Sequence, residues 1–332
     1  MFVGDIYFGD TPLQPFKIFE MNSERIYLPN TPENFYTLAW AERLKFVQSL
    51  VARGETDVYR IIRILERHER KFQLKLEHAS YIYSEPQDGP EKIDVFTGHA
   101  EWVPVDHGSD AELLPTGVPA VTENSFLGKK LTLPAYTDLS VIVANWIVDL
   151  IDEDCSSVVE LGCGYGRNLF NIHYLGGPLG IPYYGTEYTE TGRALASFLA
   201  SLECAIDLRV DHFDHTSVDL RFIEESDHLF AFTCHSIEQV AEIPDSYFED
   251  LAKSAKKLTC IHFEPFGFQI SANNPYSVRQ KDFFIKRGWN TNFFDVLKTA
   301  ANTGTINLTH VYKDIIPNEE ISPTSVAIWR NF

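Results

Sequence analysis

Val158-Val159-Glu160-Leu161-Gly162-Cys163-Gly164-Tyr165-Gly166-Arg167-Asn168 is the stretch on which the reading of this chain turns. Val158 and Val159 are β-branched and apolar, which suits a buried strand. Gly162, Gly164 and Gly166 lack a Cβ, so the turn can take unusual φ/ψ values and its backbone can lie against a ligand. Asn168-Leu169-Phe170 then opens an apolar helical pattern. The stretch predicts a strand, a glycine turn and the first turn of a helix.

Strand and helix signals continue to alternate downstream, which predicts a mostly parallel sheet. The strands expected are Ser157–Leu161, Tyr183–Glu187, Ile206–Asp211, His228–Thr233 and Leu258–Glu264. Glu160, Glu187, Asp211, His235 and Glu264 follow one another at intervals of about one βα unit, roughly 24–29 residues. Each should therefore sit near the carboxyl edge of its strand, along the crevice where open α/β sheets bind ligands. The end of the chain differs. Ile306–Tyr312, with 313–316 as an extension, and Thr324–Trp329 are strand-like with no helix between them, so they should pair as an antiparallel hairpin. The fold class expected is α/β: a Rossmann-like, mostly parallel sheet with a C-terminal antiparallel hairpin.

A dinucleotide fingerprint needs its third glycine three positions after the second. Arg167 stands there, which disfavours a dehydrogenase. The spacing is instead Glu-x-Gly-x-Gly-x-Gly, which resembles the first motif of class I S-adenosylmethionine (SAM) methyltransferases. The resemblance covers residues 131–332, and the terminal hairpin is similar to the end of that seven-stranded fold. It implies SAM as cofactor. Gly162, Gly164 and Gly166 would pass along its methionine part, with Glu160 supporting the ammonium and Asn168 and Tyr136 also in the cofactor set. Glu187 would accept the ribose hydroxyls; the alternative is an acid capping the next helix. Asp211 would accept the adenine amino group, with His212 or Phe213 against the ring, and Asp214 is a rival register for Asp211.

Cys234-His235-Ser236-Ile237-Glu238-Gln239-Val240 resembles the segment after the fourth strand of many small-molecule methyltransferases. His235 is then a candidate general base, because an unperturbed imidazole titrates near neutrality. The alternative is a histidine bonded to backbone or cofactor. Glu264 would bind or deprotonate the acceptor, and Glu238 and His262 are further candidates. This segment and Ile261-His262-Phe263-Glu264-Pro265-Phe266 also look loosely like sugar-type methyltransferases. The resemblance implies methylation of a hydroxyl or amide nitrogen on a small molecule, such as a sugar-containing metabolite. A peptide or protein side chain is the alternative acceptor, and a catalytically silent SAM-binding scaffold the alternative of another class.

The first 130 residues resemble no family and are expected to form an α+β accessory domain for substrate recognition. Short strands are expected over residues 1–30. Thr31-Pro32-Glu33 should start a helix running towards Gly54, and a second helix should run from about Thr56 past Leu76. Ile93–Phe96 and Glu101–Val103 read as a strand pair, 106–128 as a long loop, and Pro134 as the lead into a helix over Leu139 to Leu150.

The 332-residue chain is 44% hydrophobic and 23% charged, which suits a globular protein. Its formal net charge of −19 argues against a nucleic-acid partner, which needs a basic footprint. No apolar run reaches the ~18 residues of a membrane span. The five cysteines are odd in number and show no CxxC spacing, so they read as reduced thiols and not as metal ligands. Together with an N-terminus unlike a signal peptide, these features point to a cytoplasmic protein.

Overall fold

The computed structural model describes residues 7–8, 11–12, 32–66, 81–84, 101–104, 121–134, 140–223, 226–318 and 322–332. The chain divides into two compact units, 1–119 and 120–332.

In the first unit, β1 (Tyr7–Phe8) pairs with β2 (Thr11–Pro12). Helix α1 (Pro32–Ala52) begins at the expected proline, whose missing N–H costs nothing at a first helical position. It stops just before Gly54, which takes φ +96°. Ala39, Phe46, Val47 and Leu50 of α1 are buried, as are Val58, Ile61, Ile62 and Leu65 of α2 (58–66). β3 (Tyr81–Ser84) pairs antiparallel with β4 (Glu101–Pro104). The partner of the Glu101 strand is thus Tyr81–Ser84; residues 93–96, expected to fill that place, lie outside the described residues. So do the other strands expected in 1–30, the extension of α2 past 66, and residues 106–120.

The second unit opens with a hairpin of β5 (Val121–Phe126) and β6 (Lys129–Pro134). Leu127 at φ 49° and Gly128 at φ 72° form its two-residue turn. This corrects the reading of 106–128 as continuous loop. The strand Val-Thr-Glu-Asn-Ser-Phe is polar and alternates poorly, and its support comes from far along the chain. Ser125 N donates to Asn318 O at 2.8 Å and Leu127 N to Asp314 O at 2.9 Å. Pro134 ends this strand, and the helix expected after it is present from Ser140 to Leu150.

After α3 (Ser140–Leu150), the chain builds β7 (Ser157–Leu161), α4 (Arg167–Tyr174), β8 (Tyr183–Glu187), α5 (Glu190–Leu202) and β9 (Leu208–His212). β10 (His228–Cys234), a 3-10 turn at Ile237–Gln239, α6 (Tyr247–Ala252) and β11 (Lys257–Glu264) follow. The chain ends with α7 (Gly267–Ile270), α8 (Pro275–Arg287), α9 (Phe293–Asn302), β12 (Asn307–Ile316) and β13 (Thr324–Arg330). The seven-stranded sheet runs β12-β13-β11-β10-β7-β8-β9. β7 to β11 are mutually parallel, β13 runs antiparallel to β11, and β12 antiparallel to β13. This is the α/β sheet closed by an antiparallel hairpin that the class I methyltransferase resemblance implied.

Burial explains the order. β7 and β8 are buried along their whole length and β10 and β11 along nearly all of it, as runs of apolar residues in a doubly covered parallel sheet must be. The chain leaves β7 in one direction through β8 and β9, then returns to the other side of β7 for β10 and β11. The loops after β7 and β10 therefore part at a topological switch point, where an open sheet forms a crevice.

Candidate active site

The loop after β7 is built on left-handed glycines: Gly162 at φ 82°, Gly164 at 56° and Gly166 at 84°. L side chains rarely adopt that region. Backbone N–H groups stitch the loop to β8. Gly162 N and Cys163 N donate to Thr186 O at 2.9 and 2.6 Å, and Gly164 N donates to Glu187 Oε2 at 3.1 Å. Glu187 Oε1 accepts from Thr189 N at 2.9 Å and Thr189 Oγ1 at 2.7 Å. Thr189 itself caps α5 by accepting from Gly192 N at 3.2 Å. The helix cap is thus Thr189, and Glu187 ties that cap to the glycine loop. A carboxylate oxygen has two acceptor sites, so Oε2 keeps one beyond Gly164 N.

Glu160, at the end of β7, is 1% exposed, and Asn168, in the first turn of α4, is 5% exposed. Asn168 Nδ2 donates to Glu160 Oε1 at 2.6 Å. Glu160 Oε2 and Asn168 Oδ1 have no partner among the described residues. Burial, against the Asn168 hydrogen bond and the Arg167 charge, pushes the Glu160 carboxyl up to about 8. The ligand-free chain thus keeps the proton on Glu160, and both Oε2 and Asn168 Oδ1 stay unengaged in a buried place, an arrangement natural interiors avoid unless something else supplies a partner.

At the end of β9 the candidates diverge. Asp211 and His212 are exposed, and His212 stands 5.5 Å from the Tyr188 ring. Asp211 Oδ1 accepts from His212 N at 2.6 Å. Phe213 turns inward at 3% exposure and meets His215 edge-on at 5.0 Å, so its ring belongs to the core. Asp214 Oδ1 accepts from Thr216 N and Thr216 Oγ1, both at 2.7 Å, and so braces a turn. Tyr136 lies outside the described residues.

The segment after β10 is the most constrained part of the edge. His235 has φ 53°, an uncommon backbone for a non-glycine residue and a marker of a site whose surroundings over-determine it. The surroundings are visible. His235 N donates to Phe263 O at 2.9 Å, continuing the β11 ladder. The chain then turns so that Ser236 N and Ile237 N reach Glu264 Oε1 at 3.0 and 3.2 Å, while Glu238 N reaches Oε2 at 3.4 Å. Glu264, 2% exposed, is therefore the cap of the 3-10 turn. Burial raises its carboxyl to about 7 against the pull of His235. The His235 ring lies between Thr324 Oγ1, 2.6 Å from Nε2, and Glu238 Oε1, 3.4 Å from Nδ1. Burial opposes its charged form, but the Glu238 and Glu264 carboxylates outweigh that and the Arg167 charge, so its pKa is raised.

His262 is fully buried. Trp329 Nε1 donates to its Nε2 at 2.9 Å, so Nδ1 carries the proton towards Thr233 Oγ1 at 3.0 Å. Burial lowers its pKa to about 3. It is a neutral core histidine, which removes it as a reacting group. Sequence reasoning passed over His215 and Ser236. Ser236 Oγ donates to Leu161 O at 2.8 Å, and His215 Nε2 meets Ser236 Oγ at 3.1 Å with Tyr247 OH on Nδ1 at 2.9 Å. This chain fastens the turn after β10 to the end of β7. No local pattern announces it, because its members lie on separate elements.

No family model matches the chain, and no curated protein matches it. The solved structures it resembles include a geranyl diphosphate C-methyltransferase from Streptomyces coelicolor A3(2). That pair is 13% identical over 57% of this chain and 78% of that one, with a TM-score of 0.40. A magnesium protoporphyrin IX methyltransferase from Synechocystis PCC 6803 is 14% identical over 58% of this chain and 82% of that one, with a TM-score of 0.41. A SAM-dependent methyltransferase from Aquifex aeolicus is 14% identical over 58% and 89%, with a TM-score of 0.36. Likenesses this distant say nothing of this chain's ligands.

Proposed function

We propose that the chain binds SAM and transfers its methyl group to a small-molecule acceptor. The observation that carries this reading is the donor-less pair Glu160 Oε2 and Asn168 Oδ1 beside a left-handed glycine loop at the switch point of the sheet. A cationic donor arriving there would displace the Glu160 proton and pair with the carboxylate it leaves, which a phosphate could not do. SAM offers an ammonium and a sulfonium and carries no phosphate. Glu187 and the exposed pair Asp211 and His212 continue the same edge with acceptors suited to hydroxyl and amino donors.

Bound SAM supplies an activated methyl group on a good leaving group. The residues of this chain then have two tasks. Glu160, Asn168, the glycine loop and Glu187 fix the cofactor. The turn after β10 aligns the acceptor in line with the methyl, where positioning itself lowers the barrier. His235 is the residue of that turn fitted to hold or take an acceptor proton, because Glu238 steadies its imidazolium form. The acceptor is a hydroxyl or amide nitrogen of a small molecule, and the locale is the cytoplasm.

Calorimetric titration with S-adenosylhomocysteine (SAH), the demethylated cofactor, tests the reading. Wild-type protein should bind it, and Glu187→Ala should weaken binding by about 1.5–3 kcal/mol, the range for hydrogen bonds to a charged group. Absence of SAH and SAM binding by folded wild-type protein would overturn it.

A further inference from the structure

The Glu238 side chain is 8% exposed. Its Oε1 takes Gln239 Nε2 at 3.0 Å and faces His235 Nδ1 at 3.4 Å, while its Oε2 has no partner among the described residues. Glu238 lines a recess whose walls include the rings of Phe266, Phe284 and Phe293. The amides in that wall offer it nothing. Asn290 Oδ1 takes Phe293 N at 2.9 Å and its Nδ2 donates to Asn292 Oδ1 at 3.1 Å. Gln269 Oε1 takes Phe294 N at 2.8 Å and its Nε2 donates to Asn290 O at 3.1 Å. The two amides are thus tied to each other and to the start of α9, and Glu238 Oε2 is left without a partner among the described residues.

The charges around Glu238 point the same way. Glu264 is a second buried acid on the recess. His235 is the cation at hand, lying on the Oε1 side, and the Arg167 charge acts on that histidine. A lone water would suit the place poorly, because a buried water typically makes about three hydrogen bonds. An ammonium group suits it well: it brings the missing donor and the missing positive charge, and aromatic faces attract cations. The recess has a cavity volume of about 10 Å³, room for one water-sized group and far below the roughly 300–1,000 Å³ of a pocket that encloses a whole ligand. It can take an end-group, with the body of the ligand outside.

We propose that this recess is an ammonium-binding subsite, and that the acceptor molecule carries a primary amino group whose head is held by Glu238 Oε2 beside Phe266, Phe284 and Phe293. The inference rests on the methyltransferase reading for calling the ligand an acceptor, though not for the subsite itself.

The probes are n-butylammonium and the neutral n-butanol, titrated by ligand-observed NMR into SAH-saturated protein. The ammonium should bind at least tenfold more tightly than the alcohol. Glu238→Gln keeps the shape and removes the charge, and should weaken the ammonium at least tenfold while leaving SAH affinity unchanged. Equal binding of the two probes, no binding of the ammonium, or full ammonium affinity in Glu238→Gln overturns the proposal. Should Glu238→Gln fail to fold, the ammonium-to-alcohol ratio in the wild type decides by itself. SAH binding without ammonium preference sinks this inference alone, whereas loss of SAH and SAM binding sinks the methyltransferase reading.

Discussion

Gly162 shows why one residue type is required at the head of the loop. Its φ of +82° alone penalises any side chain, by about 1–3 kcal/mol. A Cβ there would also stand 2.4 Å from Ser236 Cβ and 2.8 Å from Ser236 Oγ. Ser236 cannot simply swing away, because its hydroxyl is held by Leu161 O and His215 Nε2. The hydrogen-bond roles here are consistent. Burial lowers the His215 pKa to about 3, so the ring is neutral, Tyr247 OH donates to Nδ1, and Nε2–H donates to Ser236 Oγ. Gly162→Ala should therefore lose about 2 kcal/mol or more in a urea unfolding titration. Ser236→Gly removes the obstructing atoms, so the double variant should lose less than the two single losses added together. Simple additivity would show that the clash is not what makes Gly162 necessary.

The pair β10 and β11 forms one device with the turn between them. Parallel pairing places Cys234 opposite Phe263, so the turn leaves β10 level with Glu264, the last residue of β11. The Glu264 carboxylate gathers the Ser236, Ile237 and Glu238 N–H groups, and the chain is thereby forced through the left-handed His235. Glu264→Ala strands those three donors, and the loss should reach about 3 kcal/mol by chemical denaturation, since several charge-assisted bonds go together. Glu264→Gln keeps an acceptor and should lose less. Equal, small losses would mean that the turn holds itself. The strands of this device were legible in the sequence because buried parallel strands are local apolar runs, and Glu160, Glu187 and Glu264 do fall at the carboxyl ends of theirs. The role of Glu264 was not legible, because its partners sit 26–28 positions earlier and are backbone groups common to every residue. The β5–β6 hairpin was hidden for a related reason: its strand is polar, and its register is set by Asp314 and Asn318. Phe213 followed a strand end whose next turn direction no periodicity records.

Across the whole second unit, buried ionisable groups set the pH at which the fold is most stable. Glu160 is raised to about 8 and Glu264 to about 7, chiefly by burial, from an ordinary value of 4.5. The folded state therefore holds their protons more tightly than the unfolded chain does. Their contribution is complete below pH 4.5 and is lost as pH rises through 7 to 8. His235 is also raised, so its contribution shrinks in the same direction above its ordinary 6.5. His215 and His262 act oppositely. Burial lowers both from 6.5 to about 3, so their contribution is complete above 6.5 and is lost as pH falls towards 3. Between about pH 4.5 and 6.5 the two sets compensate. Above 6.5 the acids act without opposition from the histidines, each by at most ~1.4 kcal/mol per pH unit. The unfolding free energy of the ligand-free protein should thus be roughly level from pH 5 to 6.5 and fall clearly from 6.5 to 8. Glu160→Gln carries no proton to lose, so its fall over the same interval should be visibly shallower. Urea titrations of both proteins across this range provide the check. A wild-type curve flat to pH 8, or a Glu160→Gln curve parallel to it, would mean that Glu160 is already ionised in the folded chain and that the donor-less carboxyl at the head of the glycine loop is not the proton-holding group described above.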